Sequence, residues 1–161
     1  MDVYDPDCWS CQDLMGKRRV ATAPRIHEAR YWNIEHVPET SIEGWIVIVL
    51  RRHASALHEL SDEEFQELAL LTRQCSRILH HLFSSAQEYL MQFAESEHFR
   101  HVHVHLVPRL NEWPDDLRGP RVLSAIGEEA ANKLSAEQMT SAANSIRQAL
   151  AKETNYPAVA E

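Results

Sequence analysis

The chain has 161 residues, 44% of them apolar, and its 16 basic against 24 acidic side chains give a net charge of −8 with histidine neutral. That is one domain's length of chain with enough apolar residues for a core, and its acidic balance argues against a nucleic-acid backbone or an anionic membrane as principal partner. No apolar run approaches a membrane span, the first seven residues have no signal-peptide character, and three cysteines make no disulfide framework, so a reducing, cytoplasmic setting is expected.

Cys8-Trp9-Ser10-Cys11 has the spacing of one half of a tetrahedral zinc site. Two ordinary cysteines, or a dithiol that oxidises, are the plainer readings of the same pair. Tyr31-Trp32-Asn33-Ile34 predicts a short strand. Trp45 to Leu50 is a continuous β-branched run after Gly44, read as a central strand buried on both faces, and Arg51-Arg52-His53 closes it. Ser61-Asp62-Glu63-Glu64 has the capping-box spacing with acids in the first turn, so a helix starts there. Phe65, Leu68, Thr72, Cys75, Leu79 and Leu82 step by threes and fours and predict one apolar stripe to about Phe83, with Cys75 in the core. His80 and His81 fall late in this helix, where its dipole favours them without a function. His27 and His58 are assigned none.

Tyr89 to Phe93 predicts the next strand, and a loop from Ala94 to Phe99 leads into His101-Val102-His103-Val104-His105-Leu106-Val107, which Pro108 should end. Asn111 to Pro120 is turn-rich. Ser135-Ala136-Glu137-Gln138 caps a second helix whose stripe is Met139, Ala142, Ile146 and Ala149 or Leu150. Strands mixed with two helices, without regular βα alternation, predict a single α+β domain over 1–153 with an antiparallel sheet and a loose tail over 154–161.

The histidine segment carries the chemistry. Strict alternation has the period of a strand with one buried face, so all three rings are expected on one side at roughly 6–7 Å intervals, with Val102, Val104 and Leu106 turned into the core. Imidazole gains little by burial without partners, so three in one row point to a site. Two chemistries fit: ligation of a shared zinc or iron, or nucleophilic and acid–base catalysis at phosphorus, for which the near-neutral imidazole pKa is suited. The pattern does not choose between them.

His-apolar-His-apolar-His followed by two apolar residues resembles the signature of the histidine triad family of nucleotide hydrolases and transferases. Gly44 to His53 is similar to the family's strand ending in a basic pair and histidine, Leu57-His58-Glu59-Leu60-Ser61 to its lead-in to the first helix, and Met91-Gln92-Phe93-Ala94-Glu95 and Pro114 to Val122 to a bacterial subgroup, over residues 8 to 125 in all. The resemblance implies a five-stranded antiparallel sheet with two helices, pairing as a homodimer into a larger continuous sheet. It implies His103 as the nucleophile on the α-phosphorus of a nucleotide, through a nucleotidyl-imidazole that water hydrolyses. His105 would contact the phosphate and leaving group, and His101 would support the site by hydrogen bonds or a metal. The substrates implied are nucleoside phosphoramidates or dinucleoside polyphosphates carrying a purine, with no organic cofactor.

Some members complete a zinc site from positions that here are Cys8, Cys11, His53 and His101; such a closed site would be structural. His36 matches a position that lines the family's nucleotide pocket, Gln92 is placed to reach phosphate or sugar, and His98 stands where relatives carry a small or hydroxyl residue near the phosphate. Trp113 and Arg118 are read as pocket caps or, for the tryptophan, as packing against the sheet. The stretch Ala94 to Arg100 departs from the family in lacking glycine, and Glu95 and Glu97 would repel a polyphosphate unless they point away. Two rival functions stay open: a metal-dependent enzyme that uses the triad as ligands, and a nucleotide-binding module that has lost turnover.

Overall fold

The structure is a computed structural model that describes residues 4–127 and 129–153; the tail expected over 154–161 lies outside them. Five strands, β1 (His27–Glu28), β2 (Trp32–His36), β3 (Ile46–Leu50), β4 (Gln87–Met91) and β5 (His103–Arg109), form one sheet in the order β1-β2-β3-β5-β4. Every neighbouring pair is antiparallel, so the α+β class and antiparallel sheet are as expected. Helices α1 (Trp9–Leu14), α2 (Asp62–Phe83) and α3 (Ala136–Glu153) accompany it. Neither α1 nor the two-residue β1 is visible as a pattern in the sequence. No helix among the described residues is long and apolar enough to cross a membrane.

Both long helices start at the expected serines. The Ser61 hydroxyl accepts from Glu64 N at 3.3 Å while the Glu64 carboxylate accepts from Ser61 N at 2.8 Å. Ser135 and Gln138 exchange the equivalent bonds at 3.2 and 2.9 Å, so two orphan donors are satisfied at each start. α2 and α3 cover one face of the sheet. There Leu71, Cys75, Ile78 and Leu79 meet Met139, Ala143, Ile146 and Leu150 over Trp32, Ile34, Ile46, Ile48 and Leu50.

The buried stripe of α2 differs in phase from the predicted one, because Phe65 and Leu82 remain 42% and 38% exposed. Glu64 faces inward in place of Phe65. Its carboxylate accepts from Arg52 Nε and Nη2 at 2.7 and 2.8 Å, and its carbonyl accepts from the Trp32 indole at 2.9 Å. A buried carboxylate without these partners would be costly, so the ion pair sets the helix's rotation.

β3 is central but is not buried equally on both faces. Ile46, Ile48 and Leu50 turn to the helices and are buried, whereas Val47 and Val49 are half-buried on the opposite face. β5 begins at His103 rather than His101 and runs through Pro108 to Arg109. The last β3 pairing is Ile46↔Leu106, so Pro108 falls beyond β3, where its missing N–H removes no ladder bond. Residues 101 and 102 leave the ladder: Val102 N donates to Ala54 O at 2.7 Å, and Leu50 N donates to Val102 O at 3.1 Å.

Gly44, just ahead of β3, has φ +79, and a Cβ there would stand 2.6 Å from the Phe83 ring. Gly44→Ala therefore carries both left-handed strain and a clash, and should lower the unfolding free energy by about 1–3 kcal/mol. Urea unfolding checks this as a lower midpoint at unchanged m value.

Candidate functional site

The face of the sheet away from α2 and α3 forms the floor of a cleft of about 600 Å³. Cross-strand register lays out the floor as two rows, Asn33–Val49–His103 and Glu35–Val47–His105. The N-terminal arm supplies a side wall, with Trp9, Ser10, Asp13 and Leu14 of α1 followed by Arg18 and Arg19. α1 has six residues and no side-chain N-cap, too short to persist without tertiary anchors. One anchor is an ion network in which Arg19 Nη1 and Arg25 Nε donate to Glu35 at 3.0 and 2.8 Å, while Arg25 Nη2 reaches Asp13 at 3.2 Å.

The triad divides between two sites. His103 and His105 line the cleft, ring edge against ring face at 5.1 Å and 81°. His101 is fully buried and turns away from it. Each partner fixes the tautomer where it is a carbonyl, since a carbonyl only accepts. His103 Nδ1–H donates to the His101 carbonyl at 2.6 Å, which leaves Nε2 as a bare lone pair. His101 Nε2–H donates to Leu50 O at 2.7 Å, which leaves its Nδ1 bare. His105 Nδ1 accepts from the Trp45 indole at 3.1 Å. Burial lowers the pKa of all three rings, to about 4 for His101 and about 3 for His105, where the neighbouring His103 adds to it. All three are neutral at physiological pH.

The bare Nδ1 of His101 stands 3.5 Å from Cys8 Sγ and 3.6 Å from Cys11 Sγ, and His53 Nδ1 is 3.4 Å from Cys11 Sγ. One donor atom from each of Cys8, Cys11, His53 and His101 lies within 4.8 Å of every other. Tetrahedral zinc with its usual bond lengths separates a sulfur and a nitrogen ligand by about 3.6 Å, so both donor set and spacing fit. Burial pushes the Cys11 thiol up to about 11; a divalent cation supplies the charge that would hold it as thiolate.

The remaining candidates are more scattered. His36 borders the cleft, but its register places it in the row of Ile46 and Leu106 on the helix side. Its Nδ1–H donates to Val37 O at 2.9 Å and its Nε2 accepts from Gly44 N at 3.2 Å, leaving no ring nitrogen for a ligand. Gln92 and His98 are not among the lining residues. Gln92 lies just past the end of β4, half-buried. His98 is exposed and stacks on Trp9 at 4.8 Å and 6°. Ser96 and Phe99 represent that loop in the cleft, while Glu95 and Glu97 point to solvent. Trp113 packs beside Tyr89 and Arg118 bonds the Trp113 carbonyl, both outside the cleft. Sequence reasoning missed Asp13, Glu35 and the Trp45 side chain. A tryptophan in a wholly apolar run was a usable signal, because a buried indole N–H needs an acceptor.

No family model matches the chain. A curated relative, the adenosine 5'-monophosphoramidase hnt1 of Schizosaccharomyces pombe (strain 972 / ATCC 24843), is 26% identical over 103 residues, covering 57% of this chain and 74% of that protein. A zinc-bound histidine triad family protein from Mycobacterium smegmatis superposes with TM-score 0.65 at 16% identity, over 91% of this chain and 95% of that one. The diadenosine triphosphate hydrolase of Plasmodium falciparum superposes with TM-score 0.60 at 19% identity, over 80% of this chain and 77% of that one. At these identities the superpositions establish the fold.

Burial holds His36 below its ordinary value of 6.5. The unfolded chain therefore takes up a proton that the folded chain refuses. The stability contributed is complete above about pH 6.5 and is lost as pH falls toward the folded value. Urea unfolding across about pH 5 to 8 should show that decline, to which the buried His101, His103 and His105 add, and His36→Gln, which still donates and accepts, should lessen the slope without abolishing it.

Proposed function

We propose that the chain is a histidine triad nucleotide hydrolase or transferase acting on nucleoside phosphoramidates or dinucleoside polyphosphates; its likeness to the hnt1 monophosphoramidase and to solved structures of this fold supports that reading. The observation that carries this reading is the state of His103: Nδ1–H tied to a carbonyl, Nε2 bare, the ring lining a cleft. That lone pair attacks the α-phosphorus, the P–N bond forms as the bond to the leaving group breaks, and water then displaces His103 from the nucleotidyl-imidazole. Dividing the transfer lowers each barrier, and groups preset around the phosphoryl oxygens lower both. His105 contacts the phosphate from the adjoining position on β5, and His101 acts through its carbonyl on His103.

Trp9, Val47 and Val49 support a planar purine in the cleft. The Asn33 Oδ1, buried and without a partner among the described residues, supports a donor on the ligand above β2. Cys8, Cys11, His53 and His101 would hold zinc with no position open to water, which makes its contribution structural: it ties α1 to the segment before β5. A homodimer is the assembly we favour, since β4 is an edge of the described sheet and carries the exposed Leu90, and edge pairing would extend the sheet across two chains. A reducing, cytoplasmic setting suits the three free cysteines among the described residues.

Intact mass spectrometry after brief exposure to an adenosine phosphoramidate or a diadenosine polyphosphate should detect one added nucleotidyl group. His103→Ala should form none and lose at least about a thousandfold in turnover; an unchanged adduct in that variant removes the assignment. Protein purified without chelators should carry about one zinc per chain, and Cys8→Ser should lose it and melt at a lower temperature. A metal-free wild type would end the zinc reading.

A further inference from the structure

Trp45 immediately precedes β3, on the cleft side of the sheet's register two residues before Val47, and its side chain is fully buried. Its indole N–H donates to His105 Nδ1 at 3.1 Å, with the two rings edge to face at 79° and 5.8 Å between centroids. An indole nitrogen donates only; it neither accepts nor titrates. His105 must therefore present a lone pair at Nδ1 to keep the bond. A neutral ring that does so carries its proton on Nε2. An imidazolium would point Nδ1–H at the indole N–H, two donors facing each other in a buried site, which forfeits the bond and leaves both unsatisfied.

We propose that Trp45 is a positioning residue that holds His105 as the neutral Nε2–H tautomer, so that His105 serves the phosphoryl group as a hydrogen-bond donor and not as a proton source. The substrates of this site are then nucleotides whose leaving group departs without taking a proton from the enzyme. This rests on reading the cleft as a phosphoryl-transfer site.

The consequence follows from the balance of the two displacements. In the first, the His103 Nε2 lone pair forms the P–N bond, and the bond to the leaving group breaks with its electron pair going to the leaving group. A neutral imidazole is far too weak an acid to surrender its proton at that moment. A phosphate-ended leaving group of a phosphoanhydride is stable as an anion, and a phosphoramidate already protonated on nitrogen releases a neutral amine. An alkoxide is neither. In the second displacement a water oxygen bonds phosphorus, the P–N pair returns to Nε2, and the water proton passes to solvent. The site thereby favours anhydrides and N-protonated phosphoramidates over alkyl esters of nucleotides.

The full chain, labelled with 15N-histidine, gives the tautomer of His105 in the absence of substrate. The two-bond proton–nitrogen correlation should show Nε2–H alone at neutral pH, and an Nδ1–H or doubly protonated ring would overturn the proposal. Trp45→Phe keeps an aromatic ring and removes the donor. The His105 signals should then move toward a tautomer average and kcat for a diadenosine polyphosphate should fall about tenfold, with KM held within about twofold. Unchanged signals and unchanged kcat would refute the lock. Should Trp45→Phe not fold, wild type assayed on adenosine 5'-phosphate esters of graded leaving-group pKa decides the matter. A steep fall with rising pKa and inert alkyl esters are expected; comparable turnover of alkyl esters would show that the enzyme supplies a proton. If no nucleotide is turned over at all, the phosphoryl-transfer reading falls with its leaving-group rule, and the spectrum still decides whether Trp45 sets the tautomer.

Discussion

The hydrogen bond from His103 Nδ1–H to the carbonyl oxygen of His101, 2.6 Å long, organises the rest of the site. Neutral imidazole has one N–H, so tying it down defines where the lone pair points. The carbonyl is free to accept because residues 101 and 102 lie outside β5: the His101 N–H donates to Phe99 O, and Val102 bonds to Leu50 and Ala54. The same departure turns the His101 ring toward Cys8 and Cys11, where Leu50 O takes its other N–H. One residue thus serves the cleft with its backbone and the cysteine cluster with its ring. Whatever steadies the ring also steadies the peptide that orients His103.

The arm before β1 is the other dependent part. α1 lacks the length and the cap to stand alone, yet it walls the cleft. It is held at one end by the cluster that includes Cys8 and Cys11 and at the other by Asp13, joined through Arg25 to Glu35 on the cleft floor. Buried carboxylates persist where cations and donors compensate them; Asp13 also accepts from Val20 N at 2.8 Å. The wall and the floor are therefore coupled by polar contacts, while the opposite face of the sheet is held by apolar ones.

The loop between β4 and β5 shows how the chain manages without glycine. Ala94 and His98 adopt φ of 53 and 65, a left-handed conformation that costs a side-chain-bearing residue about 1–2 kcal/mol. Contacts with the arm offset it: Trp9 N donates to the His98 carbonyl at 2.8 Å, and the two rings stack. With the loop held this way Glu95 and Glu97 face solvent, and Ser96 and Phe99 border the cleft. The acidic residues therefore do not oppose an anionic ligand at the floor.

Local chemistry was readable directly. Both capping boxes, the apolar run of β3 and the alternation of the histidine segment depend on neighbours within a few residues, so their spacing alone carries them. The phase of α2 was not readable, because Glu64 is drawn inward by Arg52 in the bend that follows β3. The division of the triad was not in the residue pattern, which puts all three rings on one face; only the family resemblance set His101 beside Cys8 and Cys11. The sequence by itself determined that three imidazoles on an extended segment and a Cys-x-x-Cys pair belong to a chain of antiparallel α+β character. Tertiary structure alone decided how the His103 and His105 rings stand in a cleft, and that a tryptophan sixty residues away bonds His105. The physical reason is that side-chain direction follows from where the backbone leaves its ladder, and that point is set by hydrogen bonds to residues far along the chain.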